Sequence, residues 1–258
     1  MSLSHPDFSP LKKLNLKEPA MGVRFDFFRP KDIEMMDRDL HMSICEIFRY
    51  AQRENKAFYF SYENDETCVG KIILGMQPMN PMAASGQIGK PLGVFNETRA
   101  NAHFYQHIRK LEQGTCNFVS FAPVDKMNFN PDLLILSVPP EVGEVVLRAA
   151  SYSTGCLYES VCTPVMGCSW FLAYPFRTGK INYIIPRLVH GTHGRELYDD
   201  PSTMIISIPY HWIPTVLESL EEIPVELSGH ISKEAYYSEF NGILADLAGR
   251  AKEEGLID

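Results

Sequence analysis

Cys68 and Cys168 are the residues in this chain best placed by sequence to do chemistry. Each follows a strand-like run and a turn, Ala57–Tyr62 before the first and Cys156–Val161 before the second, and each opens a helical pattern. A thiol at a helix start faces unpaired backbone amides and the positive end of the macrodipole, which favour the thiolate. The thiolate is the form of cysteine that attacks electrophiles and binds metals and iron–sulfur clusters. Thr67 is the candidate cap that would put Cys68 at the first helical position. Asp65 and Glu66 oppose that thiolate through screened like-charge repulsion, so Cys168, with no such neighbours, is expected to be the more acidic thiol. Cys45 falls in the first turn of another helix, where Ser43 and Glu46 form a capping-box pattern. No close C-x-x-C pair is present, so spacing alone gives little for a metal site, and a pair of structural thiols is the plainer reading of it. Cys116, Cys156 and Cys162 read as core thiols.

Familiar catalytic signatures are absent. Gly86-Gln-Ile-Gly89-Lys90-Pro91 lacks the four-residue gap between glycines and the Ser/Thr after Lys of a phosphate-binding loop. Neither G-x-S-x-G nor G-x-G-x-x-G occurs. His190-Gly-Thr-His193 lacks the glutamate of H-E-x-x-H and sits in a Gly-rich loop.

The elements that must position these groups come in two similar sets. Phe48–Cys68 aligns with Leu147–Cys168 across one gapped residue, pairing Arg49 with Arg148, Tyr59 with Tyr158 and Cys68 with Cys168. A strand-like run ending in proline precedes each, Val23–Pro30 and Leu133–Pro140, and Asn117–Pro123 resembles Met204–Pro209. The order implies a duplicated α/β unit, about 22–123 and 130–223, with strand–helix–strand–helix in each copy. Right-handed crossovers would place both in one mixed β-sheet with helices on its faces. The fold class expected is therefore α/β, with α+β as the alternative. Residues 1–21 read as an irregular lead-in, 22–227 as one compact domain, and 228–258 as a helical tail. Asn96–Gln113 is expected to be a helix and Pro78–Gly93 a long loop. In the tail, Tyr236, Phe240, Ile243, Leu244 and Leu247 form an apolar stripe, suited to packing on the chain's own core or to a homodimer.

Composition bounds the partners. A net charge of −8 without a Lys/Arg cluster argues against nucleic acid. No apolar run is long enough to span a membrane, and the first residues lack the apolar core of a signal peptide, so the cytoplasm is the expected location. Six cysteines in such a setting are not expected to form a disulfide framework.

Several stretches, taken in order, resemble a bacterial and archaeal family, domain-of-unknown-function family 169, also labelled ArCR. They are Gly22–Phe28, Ser43-Ile-Cys45-Glu-Ile with Ala51, Phe58-Tyr-Phe with Thr67-Cys68, and Gly70 with Leu74-Gly75. Asn130-Pro131-Asp132 with Pro139–Ala150, then Cys168 with Pro175 and Thr178-Gly179-Lys180, and finally Arg195 with Met204–Pro209 complete the pattern. The likeness runs from roughly Gly22 to Glu222. It implies a repeated set of four cysteines, of which three match Cys45, Cys68 and Cys168. Where the fourth belongs, in a G-C-x-G-S-R-like loop, this chain has His190-Gly-Thr-His193-Gly-Arg195. A histidine then stands as the candidate replacement ligand, and loss of the site in this member is the alternative.

The leading expectation is a metal or iron–sulfur centre between the repeats, held by Cys45, Cys68 and Cys168 with His190 or His193, and a redox role with a redox partner. The second is a cofactor-free small-molecule-binding protein with its pocket between the repeats. The third is a thiol enzyme with Cys168 as nucleophile and His190 or His193 as base. Arg49, Arg148 and Arg195 are candidate anion-binding residues.

Overall fold

Met21, Val23 and Phe25 point to one side of the strand β1 (Met21–Asp26), and Arg24 and Asp26 to the other, and this alternation sets the plan of the sheet. The computed structural model describes residues 6–37, 41–64, 68–190 and 197–257. Its contacts divide the chain into two units, Met1–Glu221 and Glu222–Asp258. In the first unit β1 is joined by β2 (Glu34–Met35), β3 (Phe58–Ser61), β4 (Phe118–Pro123), β5 (Leu133–Val138), β6 (Asn182–Ile184) and β7 (Met204–Pro209). The described strands lie in the order β2-β3-β4-β1-β5-β7-β6. Neighbours are antiparallel apart from the parallel β2–β3 pair, so the sheet is mixed and the chain is of the α/β type.

One face carries Met21, Val23, Phe121, Leu133, Ile135 and Ile205. The helix Ile44–Arg53 covers it, and Phe48 packs its ring against Phe121 and Phe171. Ser43 starts this helix as its sequence pattern foretells: its hydroxyl accepts the Glu46 amide at 3.3 Å, and the Glu46 carboxylate accepts the Ser43 amide at 2.7 Å. The opposite face is covered by the helix Pro140–Tyr152. Gly143 lets that helix lie close, because a Cβ there would sit 3.0 Å from Met204 Sδ and 3.4 Å from Ile206 Cδ1.

The sheet places β4 and β7 on either side of the β1–β5 pair. The helices do not follow the duplication read from the sequence. Ile44–Arg53 packs on the Phe121 face, whereas Pro140–Tyr152 packs on the Met204 and Ile206 face. The expected strand Cys156–Val161 is also missing: Leu157 and Tyr158 are exposed, and the segment meets β6 through side chains, the Ser160 hydroxyl donating to Tyr183 O and the Asn182 carboxamide pairing with Val161. Val161 N–H donates to Asn182 Oδ1 at 2.9 Å, and Asn182 Nδ2 donates to Val161 O at 3.0 Å. The helix expected over Asn96–Gln113 spans Thr98–His107 instead. Beyond it Leu111 N–H donates to Ile73 O at 2.8 Å, and leaving the helix is what brings Ile108 and Leu111 into the core. Within the expected loop Pro78–Gly93, Asn80 caps a single helical turn, Pro81–Ala84.

A π-helical stretch, Ser169–Ala173, runs into the helix Tyr174–Thr178. Pro175 has no N–H to give to the preceding turn. The carbonyls this leaves are taken from the sheet: Phe171 O accepts the Ser207 hydroxyl at 2.7 Å, and Trp170 O accepts Asn182 Nδ2 at 2.7 Å. Asn182 and Ser207 are therefore buried polar residues with a defined task.

The second unit holds the short helix Ser228–Ile231 and the helix Lys233–Glu253, where the Ser232 hydroxyl accepts the Ala235 amide at 3.0 Å. Among the described residues no helix is long and apolar enough to cross a membrane.

Candidate functional site

Arg49 sits mid-way along the Ile44–Arg53 helix with its side chain 2% exposed, which demands partners for a group that is always charged. It finds them outside its own helix. Glu18 grips it with both carboxylate oxygens, Oε1 accepting from Nη2 at 2.6 Å and Oε2 from Nη1. Gln52 Oε1 accepts from Nη1 at 2.7 Å, and Leu197 O accepts from Nε at 2.9 Å. Four of the five guanidinium N–H groups are thereby used. Gln52 in turn donates to Pro19 O at 2.8 Å, so the segment before β1 is tied to the helix at two adjacent residues. The guanidinium also lies over the Tyr198 ring, 4.6 Å from its centroid.

Arg49, Glu18 and Tyr198 form one wall of a partly open cavity of about 410 Å³. Leu14, Leu16 and Lys17 close it from the lead-in, and Ser137, Val138 and Val142 from the end of β5 and the helix that follows. Burial pushes the Tyr198 phenol well above its ordinary pKa, with the Arg49 charge opposing, so its hydroxyl stays protonated as a donor. Ser137 Oγ is buried next to that phenol but makes no hydrogen bond of normal geometry. Volume, apolar walls and a few buried polar groups are what small-molecule sites share. A larger concavity of about 640 Å³ lies on the other side of Asn15 and Leu16, but it is a shallower surface groove without a buried charge.

The thiols lie elsewhere. None of the six cysteines lines the cavity, and none is joined in a disulfide. Cys45 and Cys168 are packed in the core with Phe48, Trp170 and Phe171. Cys168 stands at the start of its helical run as expected, yet it is 2% exposed. Cys68 is exposed near Tyr105 and does not open a helix: the turn Gly70–Ile73 begins after Val69. Thr67, the expected cap, lies outside the described residues, as do His193 and Arg195. His190 is exposed and donates its amide to Pro164 O at 2.6 Å, which sets it beside Val165. Among the described residues no group of three or more His, Cys, Asp or Glu side chains is placed to hold a metal, so Cys45, Cys68 and Cys168 do not converge as a ligand set. Arg148 is paired with Glu144 at 2.7 Å on the helix covering the opposite face, so it does not join Arg49 in one anion site.

The model of the uncharacterised ArCR family, domain of unknown function 169, matches residues 11–219. The chain belongs to this family. The match takes in Glu18 and the rest of the lead-in from residue 11, so the family's extent begins earlier than Gly22, where the sequence likeness was drawn. Neither the curated proteins nor the solved structures offer a match. Family 169 membership carries no reaction with it.

Glu18, Tyr198 and Ser137 are the site residues that sequence reasoning missed. A glutamate in a Pro-punctuated lead-in and a tyrosine in an acidic loop carry no local signal. Arg49 itself was visible, through its pairing with Arg148, but its buried role was not.

Proposed function

We propose that this protein binds a small organic molecule in the cavity beside Arg49 and Tyr198. The observation that carries this reading is a fully buried arginine, pre-positioned by Glu18, in the wall of a partly open cavity of ligand size. Burying a charge is costly, and a fold that needed only packing would fill the position with an apolar side chain. The lead-in, the Ile44–Arg53 helix and the end of β5 all contribute to its lining. The test is to release whatever accompanies the purified protein by denaturation and identify it by mass spectrometry, beside a Val142→Trp variant that fills the cavity. A small molecule present with the wild type and lost from the folded variant supports the reading. Equal recovery from both refutes it.

A metal or iron–sulfur centre is the second reading. It draws on the family's cysteine positions and on Cys45 and Cys168 sharing one core. It ranks below the pocket because the described residues bring no three ligands together. Anaerobic purification with iron and acid-labile sulfide analysis tests it, and a colourless, metal-free protein removes it.

A further inference from the structure

We infer that the cavity beside Arg49 takes an organic cation, a small amine with an apolar body, in preference to a carboxylate or a phosphate. This rests on the pocket reading above and names its ligand class.

The obvious anion receptor in the wall is already occupied. Arg49 gives both terminal guanidinium nitrogens to Glu18 and further bonds to Gln52 and Leu197, so its positive charge is matched before a ligand arrives. The second anion device in view, the start of the Pro140–Tyr152 helix, is blunted by sequence. Anions bind there through free backbone amides, and Pro139 and Pro140 have none. The next exposed position adds the Glu141 carboxylate, and the Val142 amide is turned back to Pro139 O at 3.1 Å.

The charges around the cavity point the same way. Four carboxylates line it, from Glu18, Glu141, Asp199 and Asp200, against two cations, Lys17 and Arg49. With Glu18 and Arg49 matched to each other, the excess lies at the mouth, where Glu141 and Asp199 are exposed. Deeper in, the surface is apolar, from Leu14, Leu16 and Val138, with the neutral hydroxyls of Tyr198 and Ser137. A carboxylate entering this space would meet an acidic rim and reach no uncommitted cation at depth. An amine with a hydrocarbon body gains at both places.

Three probes with one ring and three charges test this: benzylamine, benzyl alcohol and benzoate, titrated into the protein at low salt and followed by amide NMR shifts. Benzylamine is expected to bind about fivefold more tightly than benzoate, the ratio that ~1 kcal/mol of rim electrostatics gives. The double variant Glu141→Gln with Asp199→Asn is expected to lose that advantage while leaving benzyl alcohol binding unchanged. Benzoate binding as tightly as benzylamine, or a double variant that binds benzylamine as well as the wild type, overturns the amine assignment and leaves the pocket standing. No binding by any probe, or binding that survives Val142→Trp, overturns the pocket reading together with it.

Discussion

Glu18 holds the guanidinium of Arg49 in a two-pronged grip from 31 residues earlier in the chain, and the two partners are unequally buried. Arg49 is 2% exposed and Glu18 is 31% exposed. The asymmetry matters because a stranded charge costs according to how much water it can recover.

Glu18→Gln should therefore cost more stability than Arg49→Met. The first leaves an arginine in the core without its counter-charge, a loss of about 3 kcal/mol at the lower end of broken buried pairs. The second removes the buried charge, keeps the apolar stem, and leaves a glutamate that turns to solvent, for about 1 kcal/mol. Urea unfolding of both variants checks the order. If Arg49→Met were the more damaging, the arginine would act through packing and the reading of its charge would fail.

A second relationship gives a pH dependence. Asp132 has its pKa raised, mainly by burial and in addition by the charge of Asp26, against the lowering effects of the Phe25 amide and of Arg24. Its protonated form stabilises the fold below the ordinary value of 3.8, and that contribution is lost as pH rises through the raised folded value. Asp132→Asn keeps an acceptor for the Phe25 amide, now 2.8 Å from Oδ2, and cannot ionise. Relative to wild type, the variant should gain stability between pH 3.5 and pH 7. Urea unfolding at both ends of that range checks it, and a constant difference would refute the assignment.

Much of the fold was legible because its signals are local. The Ser43 and Glu46 capping box and the strand-like apolar runs Leu133–Val138 and Met204–Pro209, each bounded by proline, report on a few adjacent residues. Cys156–Val161 misled because a short run that matches the strand segment Ala57–Tyr62 looks like a strand whether or not a neighbour takes its backbone. Here Leu157 points to solvent and a side chain, Asn182, takes the bonds. The cavity was illegible for a different reason. Arg49 meets Leu197 across 148 residues and Glu18 across 31, and no spacing rule reaches that far.

Thiol reactivity separates the site readings without reference to any ligand. Cys68 and Cys162 are exposed, and iodoacetamide at pH 8 should modify them in the folded protein, Cys162 the more slowly because burial raises its pKa. Cys116 is pushed up to about 12 by burial and should stay unmodified, as should Cys45 and Cys168 in the core. Peptide mapping by mass spectrometry after timed quenching reads the order. Early modification of Cys168 would revive it as an accessible nucleophile and count against its place among Trp170 and Phe171.

The last prediction concerns the second unit. On the helix Lys233–Glu253, Tyr236, Phe240, Ile243 and Leu247 repeat at four-, three- and four-residue steps, with Tyr237 and Leu244 beside them. All six are between 42% and 50% exposed, and Tyr236 and Phe240 stack with ring centroids 5.8 Å apart. This is a continuous apolar seam on a helix about 31 Å long, the form in which helices pair. Left in water, such a seam invites association, because most helical stability in proteins comes from packing an apolar face. A second copy of the chain is the occupant we expect, because the seam is regular enough to be self-complementary about a twofold axis. The full chain should then measure as a dimer by light scattering, and a chain ending at Glu226 as a monomer. Phe240→Glu with Leu247→Glu should give the same monomer while keeping the tail, which separates loss of the seam from loss of the segment. A full-length monomer, or a dimer that survives both changes, would show that the seam does not join two copies.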